Sequence, residues 1–359
     1  MTHTWRIVDC DIRDFKLAGQ REENNDSRSL TPFVEYANEF GMTTWRPGAA
    51  GKSSAQFGSL TRCCRIRGEG GTMRDASKVG GMAAVGLMLL MGLGSALGGK
   101  AGAAPEYTIR AIRYATIPGF PLADLVMGAA EDKKIDIAMV FWVIQGGGRT
   151  ILFDSGFHRA KWIKEFGVVD YLAPDEAVKE AGITAASVTD IIVSHAHWDH
   201  LGGVDLFPNA TVWIQRQEYE YYTGAAWQPG GHHGGIDPED VLELVRRNTR
   251  GQLRFVEGDD REILPGIRAY TGARHTFASQ YILVEGEPSF VLASDNCYLY
   301  ENLKSHRASA TFDPADAAAN VAAQQRMVGL AGSAERVVPG HDAEQFARFP
   351  TTGRVARIK

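Results

Sequence analysis

Apolar residues along this chain gather in short runs separated by turn-forming residues, rather than in long helical stripes. Residues 137–145 (IAMVFWVIQ) are almost continuously apolar, and residues 150–153 follow across Gly146-Gly147-Gly148. The pair predicts a β-hairpin with a glycine turn. Short runs at 190–193 (DIIV) and 211–214 (TVWI) predict buried strands, and residues 253–256, 267–271, 281–285, 289–293 and 336–338 continue the series. Helices are predicted over 174–181, 216–222 and 238–247. A longer one is predicted over 314–330, where Asp313 is placed as N-cap, Pro314 opens the first turn and Gly332 stops it. Strand pairs interspersed with helices predict an α/β protein with two sheets sandwiched between helices. There is no internal repeat and no long low-complexity run.

One stretch departs from this pattern. Residues 82–97 (MAAVGLMLLMGLGSAL) follow Arg74 and Lys78 and precede Ala101-Gly102-Ala103-Ala104-Pro105. A positive region, an apolar core and an A-x-A site are the signature of a secretory signal peptide. The core is too short and glycine-rich for a membrane span of about 20 residues. The signal begins near Met73, behind 72 residues of scattered charge and little periodicity. Glu69-Gly70 must be encoded by a purine block resembling a ribosome-binding site, about seven nucleotides before the Met73 codon. The expected organisation is therefore a mistranslated or disordered leader over 1–72, a signal peptide over 73–104 cleaved after about residue 103, and one globular domain over 105–359. The expected location is periplasmic or secreted, with no stable membrane span after cleavage.

Composition sharpens this division. The formal net charge of −5 splits unevenly: 13 Lys+Arg face 10 Asp+Glu in residues 1–104, and 25 face 33 beyond. An acidic domain is a poor polyanion binder, which argues against nucleic acid as a partner. Of Cys10, Cys63, Cys64 and Cys297, only Cys297 lies beyond the signal, so no intrachain disulfide is expected there.

Reactive side chains concentrate after the strand at 190–193, in Ser194-His195-Ala196-His197-Trp198-Asp199-His200. Burying three imidazoles and a carboxylate without partners would cost roughly several kcal/mol each, so this is not a packing device. A metal centre is the economical reading. On a strand-to-loop segment His195 and His197 point to one side and can take one ion, while Asp199 and His200 turn toward a second. Further ligands are available at other strand ends: His275, Asp295 and His341.

With its H-x-H-x-D-H signature intact, the chain resembles the metallo-β-lactamase fold superfamily over most of residues 107–349. Phe153-Asp154-Ser155-Gly156 matches that superfamily's early Asp-x-Gly turn. Asp295-Asn296-Cys297-Tyr298, followed by Glu301-Asn302, resembles the D-x-x-Y and E-N of N-acyl homoserine lactone hydrolases, as does Gly340-His341-Asp342 with Glu344-Gln345. The chain departs at His275-Thr276-Phe277-Ala278-Ser279-Gln280, where those enzymes usually carry Pro-Gly or a similar small pair after His-Thr. The ligand stays in place, while the shape of the substrate pocket is expected to differ.

The resemblance implies an αββα sandwich of two mixed sheets and two divalent ions. His195, His197 and His275 would hold one ion, Asp199, His200 and His341 the other, and Asp295 would bridge them. It further implies a bridging hydroxide that attacks a carbonyl carbon, with the Tyr298 hydroxyl facing the oxyanion and Asp199 passing a proton to the leaving alkoxide. Zinc suits this ligand set; iron, manganese or cobalt fit it too. The expected substrate is a small ester or lactone.

Other members of the fold compete. A β-lactamase shares the first motif but generally lacks a carboxylate at the position of Asp295. A glyoxalase II-type thioester hydrolase keeps it but typically adds a basic C-terminal segment, for which Arg354, Arg357 and Lys359 are too few. A redox di-iron protein would normally carry Glu where His197 stands. A non-enzymatic metal-binding or sensor protein is the alternative from another class. Asp154 is read as orienting a ligand rather than binding metal, and His232-His233 as solvated loop residues. Tyr219, Tyr221, Tyr222 and Trp227 either line the site's mouth or form a helix packing face. His158 and His306 carry no motif.

Overall fold

A strand that is apolar at every position must be covered on both faces. Residues 137–144 of strand β2 (Lys134–Gly146) form such a run, and it sets the layering. Its successive side chains point to opposite sides. Ala138, Val140, Trp142 and Ile144 face a core between two sheets, and Met139, Phe141 and Val143 face a second core beneath helices.

In this computed structural model the described residues are 105–359. The expected leader, the signal peptide and Cys10, Cys63 and Cys64 lie outside them. The first sheet has the order β12-β13-β1-β2-β3-β4-β5-β6. It comprises β1 (Thr108–Pro121), β2, β3 (Arg149–Phe153), β4 (Asp190–Ile192), β5 (Thr211–Gln215), β6 (Leu253–Val256), β12 (Thr351–Thr352) and β13 (Val355–Arg357). The second runs β11-β10-β9-β8-β7, from β7 (Arg261–Leu264), β8 (Ile267–Thr271), β9 (Gln280–Val284) and β10 (Phe290–Ser294) to β11 (Val337–Pro339). Both sheets are mixed. β3 through β6 pair in parallel beside the antiparallel β1–β2–β3 ladder, and β11 joins β10 in parallel.

The helix Ala317–Ala331 covers the outer face of the second sheet, placing Met327 and Ala331 against Tyr281, Leu283 and Val291. On the outer face of the first sheet, residues of Ala160–Glu165, Arg216–Tyr222 and Pro238–Thr249 join β2 and β3 in one core. The result is the expected αββα sandwich. No helix of the described residues is long and apolar enough to cross a membrane.

Most predicted elements stand close to their expected bounds. The helix over 216–222 has those ends, and that over 238–247 extends to Thr249, with Asp237 accepting from the Glu239 amide at 3.0 Å. Two predicted helices begin or end in tighter turns. Pro314–Asp316 is a 3₁₀ turn ahead of the α-helix, with Asp313 accepting from Ala315 N at 2.9 Å, and Val178–Ala181 finishes as 3₁₀ what Pro174–Ala177 begins. The long strand β1 is not visible in the pattern. Register shifts between Arg113 and Ala115 and between Ile117 and Phe120 break its two-residue alternation, and Arg110 and Arg113 interrupt its apolar positions.

Trp142 is fully buried between the sheets, its ring 5.6 Å from that of Phe153. Trp142→Ala is expected to cost about 3–5 kcal/mol in urea unfolding. A loss under about 1 kcal/mol would contradict its place in the inter-sheet core.

Candidate metal centre

The side chains singled out in the sequence all leave strand ends on the same rim of the sandwich. His195 to His200 follow β4, Asp295 follows β10, His275 follows β8, and His341 follows β11. Two of the junctions use left-handed backbone at residues with a side chain: Asp154 after β3 has φ 62° and Ser294 at the end of β10 has φ 46°. Such conformations cost about 1–3 kcal/mol and persist where the surroundings fix them. Here the surroundings are hydrogen bonds. Asp154 accepts from Ser194 N at 2.7 Å, Ser194 Oγ at 2.9 Å, Ser294 Oγ at 2.8 Å and His200 Nδ1 at 2.8 Å.

Seven donors form two adjoining groups. His195, His197, His275 and Asp295 make the first, and Asp199, His200 and His341 the second. Within the first, His197 Nδ1 lies 3.0 Å from both His195 Nε2 and His275 Nε2. Asp295 sits between the groups. Its Oδ1 is 3.1 Å from His341 Nε2, and its Oδ2 is 3.2, 3.4 and 3.6 Å from Nε2 of His200, His275 and His195. Asp199 Oδ2 is 3.3 Å from His200 Nε2 and 3.5 Å from His341 Nε2. A side chain at Gly340 would bring Cβ to 2.6 Å from Asp295 Oδ1, so only glycine lets β11 approach this closely.

The outward hydrogen bonds decide what the inward nitrogens offer. His275 Nδ1 and His341 Nδ1 each lie 3.0 Å from a backbone carbonyl, of Ala310 and Ala138. A carbonyl only accepts, so both rings carry their proton on Nδ1 and turn an Nε2 lone pair inward. His200 Nδ1 faces the Asp154 carboxylate in the same way, and its buried Nε2 has no hydrogen-bond partner; neither has Asp295 Oδ1. The buried Nε2 lone pairs of His275 and His341 converge on a carboxylate with an unpartnered oxygen, which calls for a cation, and the donor set fits divalent metal.

Electrostatics divides the two groups. Burial, with His200 and His197 nearby, pushes His195 well below the usual imidazole range, and burial beside His275 takes His197 down to about 3. Both are therefore neutral donors. Burial acts the same way on His200, but Asp199, Asp295 and Asp154 outweigh it and hold that ring well above its ordinary value. Burial would raise Asp295, yet His200 and His341 hold it well below the usual carboxylate range.

These groups form part of the wall of a cavity of about 630 Å³ whose other walls are largely apolar, with Ile117, Phe120, Leu125, Met139, Phe166 and Phe312 among them. The Tyr298 hydroxyl lies 3.4 Å from His275 Nε2. Burial, then Asp295 and Asp199, raises its pKa well above the ordinary value, so the phenol keeps its proton. Asp199 is steadied by Tyr114, whose hydroxyl donates to its backbone carbonyl at 3.1 Å.

Of the aromatic residues near the mouth, Tyr222 lines the cavity, whereas Tyr219 packs on Phe255 and Tyr221 stacks on Phe277. His232 lines the cavity, and His233 stacks on Trp227. Asn302 and Asp342 cap local backbone instead of facing the site. Asn302 accepts from Leu299 N, and Asp342 accepts from the amides of Tyr300 and Glu344. Ser294 and Glu218 carry polar contacts that no local pattern marks. For Ser294 the local signal available is its place beside Asp295.

Residues 140–302 match the metallo-beta-lactamase superfamily. The N-acyl homoserine lactonase AiiB of Agrobacterium fabrum is 24% identical over 239 residues, covering 60% of this chain and 84% of its own length. An N-acyl homoserine lactonase of a Bacillus species is 30% identical over 171 residues, covering 47% of this chain and 61% of its own. Among solved structures, a B. thuringiensis AiiA variant with N-decanoyl-L-homoserine at its active site aligns with a TM-score of 0.56 at 21% identity, over 69% of this chain and 98% of that one. The chain has the metallo-β-lactamase fold, and its residues 140–302 are similar to that superfamily.

Proposed function

We propose that this chain is an exported hydrolase that holds two divalent ions and opens a lactone ring of the N-acyl homoserine lactone kind. The observation that carries the reading is the placement of a protonated phenol, Tyr298, against two adjoining donor groups in an apolar-walled cavity. His195, His197 and His275 would hold one ion and Asp199, His200 and His341 the other, with Asp295 shared between them. Bound there, divalent ions supply Lewis acidity and lower the pKa of a water. Zinc suits five imidazoles and two carboxylates.

The chain's own residues account for the selectivity of the reaction. Tyr298 offers its O–H to a substrate carbonyl oxygen, and that hydrogen bond strengthens as the oxygen gains charge. Asp199 Oδ2 is committed to His200 and His341, and its other oxygen would take the proton of the attacking hydroxide after addition and pass it to the leaving alkoxide as the C–O bond breaks. The apolar wall takes the hydrocarbon part of the substrate and keeps water low around the polar centre. The position of Asp295 between both groups favours lactone over β-lactam hydrolysis. The names of the lactonase relatives support the same substrate class. Export rests on the signal-like segment of residues 73–103, and amino-terminal sequencing of protein from its native host is expected to begin near Ala104.

Elemental analysis of purified protein is expected to find close to two divalent ions per chain, with Asp295→Ala lowering the occupancy. A single tightly held ion, unaffected by that change, would count against the shared carboxylate. Chelation is expected to abolish turnover and zinc to restore it. On a panel of lactone, β-lactam and thioester substrates, lactone turnover should exceed the others; the reverse ranking would reassign the enzyme.

Tyr298→Phe removes one oxygen and keeps the ring and all seven donors. Loss of an oxyanion donor costs about 10²-fold or somewhat less here, because a cation shares the charge. The loss should fall on kcat rather than KM, with metal content unchanged. An unaltered kcat at full metal content would reduce Tyr298 to a packing residue.

A further inference from the structure

One buried carboxylate lies outside the donor groups and has no cation beside it. Glu218, in the first turn of the helix Arg216–Tyr222, has no solvent exposure. Its Oε1 accepts from Ala196 N at 2.9 Å and from Thr276 Oγ1 at 2.6 Å, and its Oε2 accepts from Ala278 N at 2.6 Å. Ala196 separates His195 from His197, and Thr276 follows His275. The same carboxylate therefore grips the β4 loop of the first sheet and the β8–β9 loop of the second, each at the residue next to a histidine of the first donor group.

Neighbouring contacts reinforce the grip without duplicating it. Tyr221, one turn along the same helix, stacks on Phe277 with ring centroids 4.0 Å apart and planes 4° apart. Gln280 ties the start of β9 to the end of β4, its amide N–H donating to Ser194 O at 2.8 Å and its side chain to Val193 O at 2.7 Å. Neither of these bonds Ala196, Thr276 or Ala278, the residues Glu218 holds.

We infer that Glu218 is a positioning residue for the first donor group, setting the spacing between His195/His197 and His275 through the two loops it joins. The inference rests on the metal-centre reading above. Its basis is the count of acceptor sites: in the ionised carboxylate three donors converge on two oxygens. An amide in their place turns an NH₂ toward at least one of those donors, whichever way it is flipped. With the oxygen kept for Ala196 and Thr276, the Ala278 N–H loses its acceptor and the β8–β9 loop is released. Outer contacts of this kind are worth about 10- to 100-fold in metal affinity.

The test compares wild type, Glu218→Gln, Thr276→Val and Thr276→Ser, each stripped of metal and titrated with cobalt(II) while the visible absorption of the two sites is followed. Glu218→Gln is expected to weaken one of the two binding steps by about 10- to 100-fold and leave the other unchanged. Thr276→Val should weaken the same step less, and Thr276→Ser, which keeps the hydroxyl, should restore it. In the metal-free protein, hydrogen exchange at residues 195–198 and 275–280 should quicken in Glu218→Gln, a change independent of any ion. Wild type that takes up no cobalt would overturn the metal-centre reading and this inference with it. Wild type that takes up two ions while Glu218→Gln titrates identically would overturn this inference alone, as would equal weakening of both steps. If Glu218→Gln does not fold, the Thr276→Val and Thr276→Ser pair decides: identical titrations of the two overturn the inference.

Discussion

A carboxylate sealed between two sheets must have every oxygen answered, and the way Asp154 meets that demand organises this molecule. Its partners come from three places: Ser194 after β4, Ser294 at the end of β10, and the ring of His200. Ser194 Oγ and Ser294 Oγ lie 2.9 Å apart on that carboxylate, so the rims of both sheets meet in one small polar knot. The left-handed backbone at Asp154 and at Ser294 is what turns both side chains inward. The strain is local, and the hydrogen bonds that offset it are buried, where they are strong and their loss is costly.

The knot reaches further than its own atoms. Ser194 Oγ is also 2.8 Å from His195 Nδ1, so a hydroxyl that donates to Asp154 takes its second hydrogen bond from that ring. The inward nitrogen of His195 is left with a lone pair. A single carboxylate thereby fixes the tautomer of one histidine directly and of another through a serine, one in each donor group. The backbone carbonyls of Ala310 and Ala138 do the same for His275 and His341. Of the groups that prepare the centre, Asp154, Ser194 and Ala138 stand outside the cavity wall.

What the chain discloses before it folds follows from the range of each interaction. H-x-H-x-D-H is legible because its donors share one loop, and the apolar runs of β2 to β6 are legible because burial on two faces writes itself into consecutive residues. Strand β1 is hidden by its irregular register. Arg247 shows the limit from the other side: a cation at the end of an amphipathic helix reads as a solvated end, yet it is buried and donates to the carbonyls of Val204, Phe207 and Ala210. Glu218 is equally silent. Its partners stand 22 to 60 residues away, so no local pattern can assign them. His275, Asp295 and His341 could be picked out as candidates at strand ends, but their meeting depends on the second sheet closing over the first.

The division of charge inside the centre bears on what it can do. Five imidazoles acting as donors contribute no charge, and Asp199 and Asp295 contribute two negative ones, so any pair of divalent cations held here would be only half neutralised. The largely apolar walls screen that excess less than water would, because their effective dielectric is low. A site in that condition favours whichever bound state carries more negative charge. In the opening of an ester or lactone that state is the one in which the carbonyl oxygen has become an oxyanion. Tyr298, kept protonated by burial and by Asp295 and Asp199, would add its hydrogen bond in the same direction. The carboxylates that raise its pKa are thus the ones that hold the donor groups together, which ties the phenol's readiness to donate to the geometry of the centre itself.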